Sequence, residues 1–214
     1  MNLKKSGKMS DLSDLFERNR AWAEHTRQTQ PEFFERLSDG QAPKLFWIGC
    51  SDSRVTPDRA LDLPPGSVFV HRNVGNLMGL QDPNGLAALS YAVEVLRVEH
   101  VVVCGHTGCG GVEAALSGVV HGPAGVWLQP VQMLARQNDP ALRSLSFAER
   151  VNRLAELNVQ RQVENLSHTQ VVNDAWALGQ KLVLHGWLFT VREGLLRDLG
   201  MTLTGPPEGR NGIG

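Results

Sequence analysis

Two short stretches hold the side chains whose types and spacing could do chemistry. One reads Cys50-Ser51-Asp52-Ser53-Arg54 and the other Cys104-Gly105-His106-Thr107-Gly108-Cys109-Gly110-Gly111. Cys50 and Cys109 offer thiolates, His106 an imidazole and Asp52 a carboxylate. Two sulfurs, one nitrogen and one further position make a tetrahedral zinc site like the Cys2His set of catalytic zinc enzymes. Residues two apart on an extended chain point the same way, so Cys50 and Asp52 can share a pocket. His106 and Cys109, three apart, converge in a turn or at a helix start. A closed structural zinc site would more commonly use paired Cys-x-x-Cys ligands, which are absent. A metal-free Cys–His nucleophile would leave the second thiolate and Asp52 idle. The H-x-E and P-C-x-x-C signatures of zinc deaminases are missing. Cys104 lies inside an apolar run and reads as a small buried hydrophobe.

The elements that must carry these residues can be read from hydrophobic patterning. Four apolar runs of strand length occur at 44–50, 67–71, 100–105 and 181–186. Continuous runs of this kind suit strands buried on both faces of a parallel sheet. Helical patterns span about 84–98, 110–120 and 144–178, and 121–143, with Pro123, Gly125, Pro130 and Pro140, reads as a loop with a helical turn. Strands alternating with helices predict an α/β fold with a central, mostly parallel sheet of four strands plus a fifth edge strand, flanked by helices. In such sheets ligand sites gather at the carboxyl ends of strands, where both motifs fall. Residues 11–37 read as an N-terminal helical arm broken at Pro31, whose Trp22, Phe33 and Phe34 suggest packing on another surface, a neighbouring subunit among the candidates.

Composition sets the frame. The 214 residues are 42% hydrophobic and 20% charged, with a net charge of −1. That balance suits a single globular domain and gives no electrostatic pull toward nucleic acid or an acidic membrane face. We divide it into a helical arm over about 1–40, a zinc-binding core over 41–200 and a tail over 201–214. No apolar run approaches the roughly 18 residues of a spanning helix, and no h-region follows the basic N-terminus, so a cytoplasmic location is expected. Three cysteines do not make a disulfide framework.

The two motifs together resemble the zinc signature of β-class carbonic anhydrases. The similarity continues through Trp47-Ile48-Gly49, Val68–Asn76, His185-Gly186-Trp187 and Gly194–Leu199, covering roughly residues 10–200. The resemblance implies one Zn2+ per chain, held by Cys50, His106 and Cys109, with Asp52 as the fourth ligand in a closed state. In the open state Arg54 holds Asp52, which orients a zinc-bound hydroxide that attacks CO2 to give bicarbonate. Two thiolates already neutralise the dication, so activity should rise on the alkaline side of neutrality. By the same resemblance Gln41 matches a substrate-binding amide contributed by the adjoining subunit. Phe69, Val74 and Tyr91 match the apolar wall around CO2, and Gly110 matches a backbone donor.

A subset of the family, common among bacterial enzymes, has a second, regulatory bicarbonate site. Its residues match Trp47, Val55 and Arg72, but its tyrosine aligns with Phe189, so the site is expected to be weakened or lost. The resemblance further implies a homo-oligomer, dimer or tetramer. Alternatives of other kinds are a related CS2 or COS hydrolase, and a non-catalytic zinc or bicarbonate-sensing module on the same fold.

Overall fold

The computed structural model describes residues 12–206. The chain divides into two compact units, Met1–Gln41 and Ala42–Gly214. In the first, helix α1 (Ser13–Thr29) is followed by α2 (Phe33–Ser38). Trp22, Phe33 and Phe34 meet edge-to-face, with centroids 5.1–6.2 Å apart, a geometry favoured by the ring quadrupoles. The arm's aromatics thus pack on one another, while Trp22 stays half exposed.

In the second unit the order is β1 (Leu45–Cys50), α3 (Pro57–Leu61), β2 (Val68–Asn73), α4 (Pro83–Ser90), β3 (His100–His106), α5 (Gly110–Ser117), α6 (Gly122–Trp127), α7 (Gln129–Gln137), α8 (Asp139–Leu142), α9 (Phe147–Ser167), α10 (Gln170–Ala177), β4 (Val183–Thr190) and β5 (Leu195–Leu203). The sheet order is β2-β1-β3-β4-β5. The first four strands run parallel and β5 pairs antiparallel on the edge, giving the expected α/β architecture.

Parallel pairing brings the carboxyl ends of β1 and β3 to one rim. The register sets Gly49 opposite Cys104 and Cys50 opposite Asn73, so both motifs emerge side by side. Side chains alternate as the pleat requires. Phe46, Ile48, Val101 and Val103 pack with Val159, Val163 and Leu166 of α9, whereas Trp47, Val102 and Cys104 join Val55 and Phe189 in a separate cluster. Helix α9 lies close enough on β3 that a Cβ on Gly105 would sit 2.7 Å from Val159 Cγ2. Only glycine admits that approach.

Several expectations need correction. Residues 121–143 are largely helical, because Pro123, Pro130 and Pro140 each occupy a first-turn position, where a missing N–H costs nothing. The pattern over 144–178 is two helices, restarted by Thr169, whose hydroxyl accepts the Val172 N–H at 3.4 Å. The pattern over 84–98 widens from α4 into a π-helical turn at Tyr91–Val95, closed by the Leu96 N–H donating to the Tyr91 carbonyl at 2.9 Å, and α3 is an element that the patterning does not predict. Strand β5 runs to Leu203, three residues into the segment read as a tail. Residues 1–11 of the arm and 207–214 of that tail lie outside the described residues. No helix among the described residues is long and apolar enough to cross a membrane.

Candidate metal centre

Cys50 ends β1, His106 ends β3 and Cys109 is the residue before α5. Their ligand atoms all lie within 4.8 Å of one another, and all three residues are buried. The Cys50 and Cys109 sulfurs stand 3.8 Å apart as free thiols. Two Zn–S bonds of about 2.3 Å at a tetrahedral angle hold sulfurs about 3.8 Å apart, so the pair already has metal-bridging spacing. The His106 Nδ1–H donates to the Thr107 carbonyl at 3.1 Å, which leaves the lone pair on Nε2. That Nε2 is buried with no hydrogen-bond partner among the described residues. An orphaned acceptor beside two thiols is costly unless a cation fills the space. The residues fit zinc.

The thiols are electrostatically coupled. A hydrogen bond from Cys109, working against burial, lowers Cys50 to about 4. Holding that bond to Cys50, together with burial, pushes Cys109 strongly up. The metal-free pair therefore keeps one proton, and only a cation can make both sulfurs thiolates at neutral pH. The Gly75 backbone N–H also supports the Cys50 thiolate. Burial alone raises the Cys104 thiol, which makes it an inert core residue.

Asp52 stands beside the cluster in the grip of Arg54. Arg54 Nε donates to Oδ1 at 2.9 Å, Nη2 donates to Oδ2 at 2.6 Å and the Arg54 backbone N–H donates to Oδ1 at 2.9 Å. Arg54 holds the carboxyl well below the usual carboxylate range. Arg54 Nη2 also donates to the Gly108 carbonyl at 3.1 Å. Gly108 makes its turn with φ +60°, and its N–H donates to Asn152 Oδ1 at 2.9 Å. Asp52 Oδ2 is 3.7 Å from His106 Nε2, beyond hydrogen-bond reach. Asp52 and Arg54 are thus paired.

Other residues singled out from the sequence fall into distinct places. A Cβ on Gly111 would lie 2.9 Å from Val74 Cγ1, so Val74 borders the start of α5, next to Gly110. Phe69 and Tyr91 stack with centroids 5.7 Å apart. Phe69 lies four rungs before Asn73 on β2, about 13 Å down the strand from the Cys50 level. They are therefore not gathered with this chain's own cluster of Cys50, His106 and Cys109. Gln41 belongs to the first compact unit. Trp47, Val55 and Phe189 share the buried cluster around Cys104. Arg72 donates to three carbonyls, those of Cys50, Asp52 and Val55, at 2.8, 2.5 and 2.8 Å, and so ties down the loop that carries Asp52.

Sequence reading missed a polar ladder on α9. Asn158 Nδ2 donates to the Gly75 carbonyl at 2.8 Å and accepts from Gln162 Nε2 at 2.9 Å. Gln162 Oε1 in turn accepts the Met78 N–H at 2.8 Å, and Asn165 donates to the Met78 carbonyl at 3.0 Å. Helix α9 thereby fixes the loop whose Gly75 N–H faces the Cys50 sulfur. The available signal was three amides at i, i+4 and i+7 on the face that also carries Val159, Val163 and Leu166.

Comparison with known proteins agrees with this site. The carbonic anhydrase family model matches residues 45–196. A carbonic anhydrase of Emericella nidulans is 40% identical over 192 residues, covering 89% of this chain and 84% of its own. The structure resembles the Coccomyxa β-carbonic anhydrase in complex with acetazolamide, with a TM-score of 0.86 and 38% identity over 92% of this chain and 89% of that one. It also resembles a tetrameric β-carbonic anhydrase of Sordaria macrospora, with a TM-score of 0.85 and 38% identity over 89% of this chain and 98% of that one. With a matching family model over most of its length and the Cys–His–Cys cluster in place, the chain belongs to the carbonic anhydrases of the β class.

Proposed function

We infer that this protein catalyses the reversible hydration of CO2 to bicarbonate and a proton, as an enzyme with one zinc ion per chain held by Cys50, His106 and Cys109. The observation that carries this reading is the 3.8 Å sulfur pair beside the orphaned His106 Nε2, with Asp52 held alongside. Zinc, when bound, is a Lewis acid that brings the ionisation of water near neutral pH.

The chain's own residues supply orientation. Asp52, kept ionised by Arg54, can only accept hydrogen bonds. It takes the O–H of the attacking nucleophile and turns a lone pair toward the carbon of CO2. Arg54 spans both carboxylate oxygens and so keeps Asp52 from moving onto the metal position. Val74 gives an apolar side to the space beside α5, suited to a substrate with no charge and little dipole.

Phe69 and Tyr91 lie away from the ligands, on open edge strand β2 and on the turn after α4, and Val70, Val74, Tyr91 and Val95 expose apolar surface there. We place a second copy against this edge, in a dimer or tetramer, so that Phe69, Tyr91 and Gln41 serve the partner's metal centre. The free, buried cysteines suit a reducing compartment, and we assign the enzyme to the cytoplasm. Stopped-flow CO2 hydration at pH 7 and 8.5, on protein whose metal content has been measured, tests the assignment. Zinc-loaded protein without hydration activity would overturn it.

A further inference from the structure

A surface cleft of about 620 Å³ lies where the end of α5 meets α7, α8 and the start of α9, lined among others by Ser117, Gly118, Gln132, Arg136, Asp139 and Arg150. None of these is a metal ligand or a neighbour of Asp52 in sequence. Two features of the cleft lack an explanation in the folded chain.

The first is Arg150. It sits in the opening turn of the 21-residue helix α9, where the helix dipole disfavours a cation. Its Nε is buried with no hydrogen-bond partner among the described residues. A guanidinium N–H withdrawn from water needs an acceptor, and the described residues supply none to this one, although Arg150 as a whole is only half-buried. The second is Arg136, in the last turn of α7, which also has no side-chain hydrogen bond or ion pair among the described residues. Its neighbour Arg143 contrasts with it, being held by Asp139. The one carboxylate lining the cleft is thus already committed. Gln132 adds an amide donor, whereas the Ser117 hydroxyl is spent on the Glu113 carbonyl at 2.9 Å.

We propose that this cleft is a binding site for a small organic dianion, a phosphate monoester or a dicarboxylate, clamped between Arg136 and Arg150. Two guanidiniums present planar pairs of N–H donors that match anionic oxygens bidentately. The dipole of α9 adds to the same attraction. The volume exceeds what an inorganic ion needs and falls in the range of small-molecule pockets. The Gln132 side-chain amide, in the same lining, suits hydroxyl groups on the ligand's carbon skeleton.

The test uses the full-length, zinc-loaded protein, titrated with glycerol 3-phosphate, malate and inorganic phosphate by calorimetry and by amide chemical-shift mapping. Saturable binding is expected for at least one organic probe, with shifts centred on Gly118, Gln132 and Arg150 rather than on His106. Arg136→Gln and Arg150→Gln should each weaken it about tenfold, the loss of a charged hydrogen-bonding partner. Arg161→Gln, on a surface ion pair further along α9, should leave it unchanged. Arg136 is exposed, so its variant reads binding even if Arg150→Gln folds poorly. Shifts confined to the His106 region, equal affinity in Arg136→Gln, or no saturable binding up to about 10 mM would each overturn the proposal.

Discussion

The Arg54 guanidinium takes Asp52 by both carboxylate oxygens, and the same Nη2 reaches across 54 residues of sequence to the Gly108 carbonyl. One side chain thus joins the loop after β1 to the turn between His106 and Cys109, two members of the candidate metal cluster. Asp52 and Arg54 should act as a unit. Asp52→Asn is expected to cut turnover by about 10²-fold or more while zinc stays bound. Arg54→Gln should cost a comparable factor, and the double variant little beyond either single one. Stopped-flow hydration with metal analysis on each variant checks this, and additive losses would separate the two roles.

The pH profile follows from the same pair. The folded pKa of Asp52 is depressed, so its pairing contributes stability above the ordinary carboxylate value of about 3.9 and loses it as pH falls through the lower folded one. Asp52 is therefore ionised throughout the neutral range, and no limb of the profile there belongs to it. Two thiolates offset the charge of the metal, so hydration activity should climb from about pH 6.5 to 9. A flat profile over that interval contradicts the ligand set.

Asn158 offers a test of the loop facing Cys50. It is 1% exposed and hydrogen-bonded at both ends of its amide. Asn158→Leu strands the Gly75 carbonyl and the Gln162 amide, and should destabilise the fold by about 1–3 kcal/mol in urea unfolding. Zinc affinity, read by chelator competition, should fall as well, because Gly75 no longer holds its N–H at the sulfur. Unchanged zinc affinity in a destabilised variant would restrict the ladder to folding.

Glu99 links the starts of two parallel strands. Lys44, before β1, and Lys181, before β4, both pair with it at 3.0 and 2.6 Å. Led by Lys181, they lower its pKa to about 2. The depressed value means that this stabilisation is present above the ordinary carboxylate range and is lost as pH falls toward 2. Glu99→Gln should therefore lower the melting temperature slightly at pH 7 and leave it unchanged near pH 2. The effect should shrink in high salt.

Most of what positions the metal ligands was legible in the sequence. Apolar strand runs ending in Cys50 and in His106 carry a period and a direction, and parallel pairing does the rest. Pro123, Pro130 and Pro140 misled, because a proline breaks a helix interior yet opens a first turn, and composition does not distinguish the two. The α9 ladder escaped notice because Asn158, Gln162 and Asn165 read as solvent-facing until their carbonyl partners 83 to 87 residues away are known. Strand register sets Phe69 down β2 from Cys50, with Tyr91 of the turn after α4 packed on it, so a place for the two in the substrate wall needs a second copy of the chain. Register is not written in any single strand.

The central claim is one zinc ion on two sulfurs and one imidazole. X-ray absorption at the zinc edge, with metal stoichiometry measured on the same sample of intact protein and of Cys109→Ser, tests it most directly. The account predicts one zinc per chain with two sulfur neighbours at about 2.3 Å and one nitrogen, and loss of one sulfur or of the metal in the variant. Folded protein without zinc, or zinc whose shell is unchanged in Cys109→Ser, would contradict it.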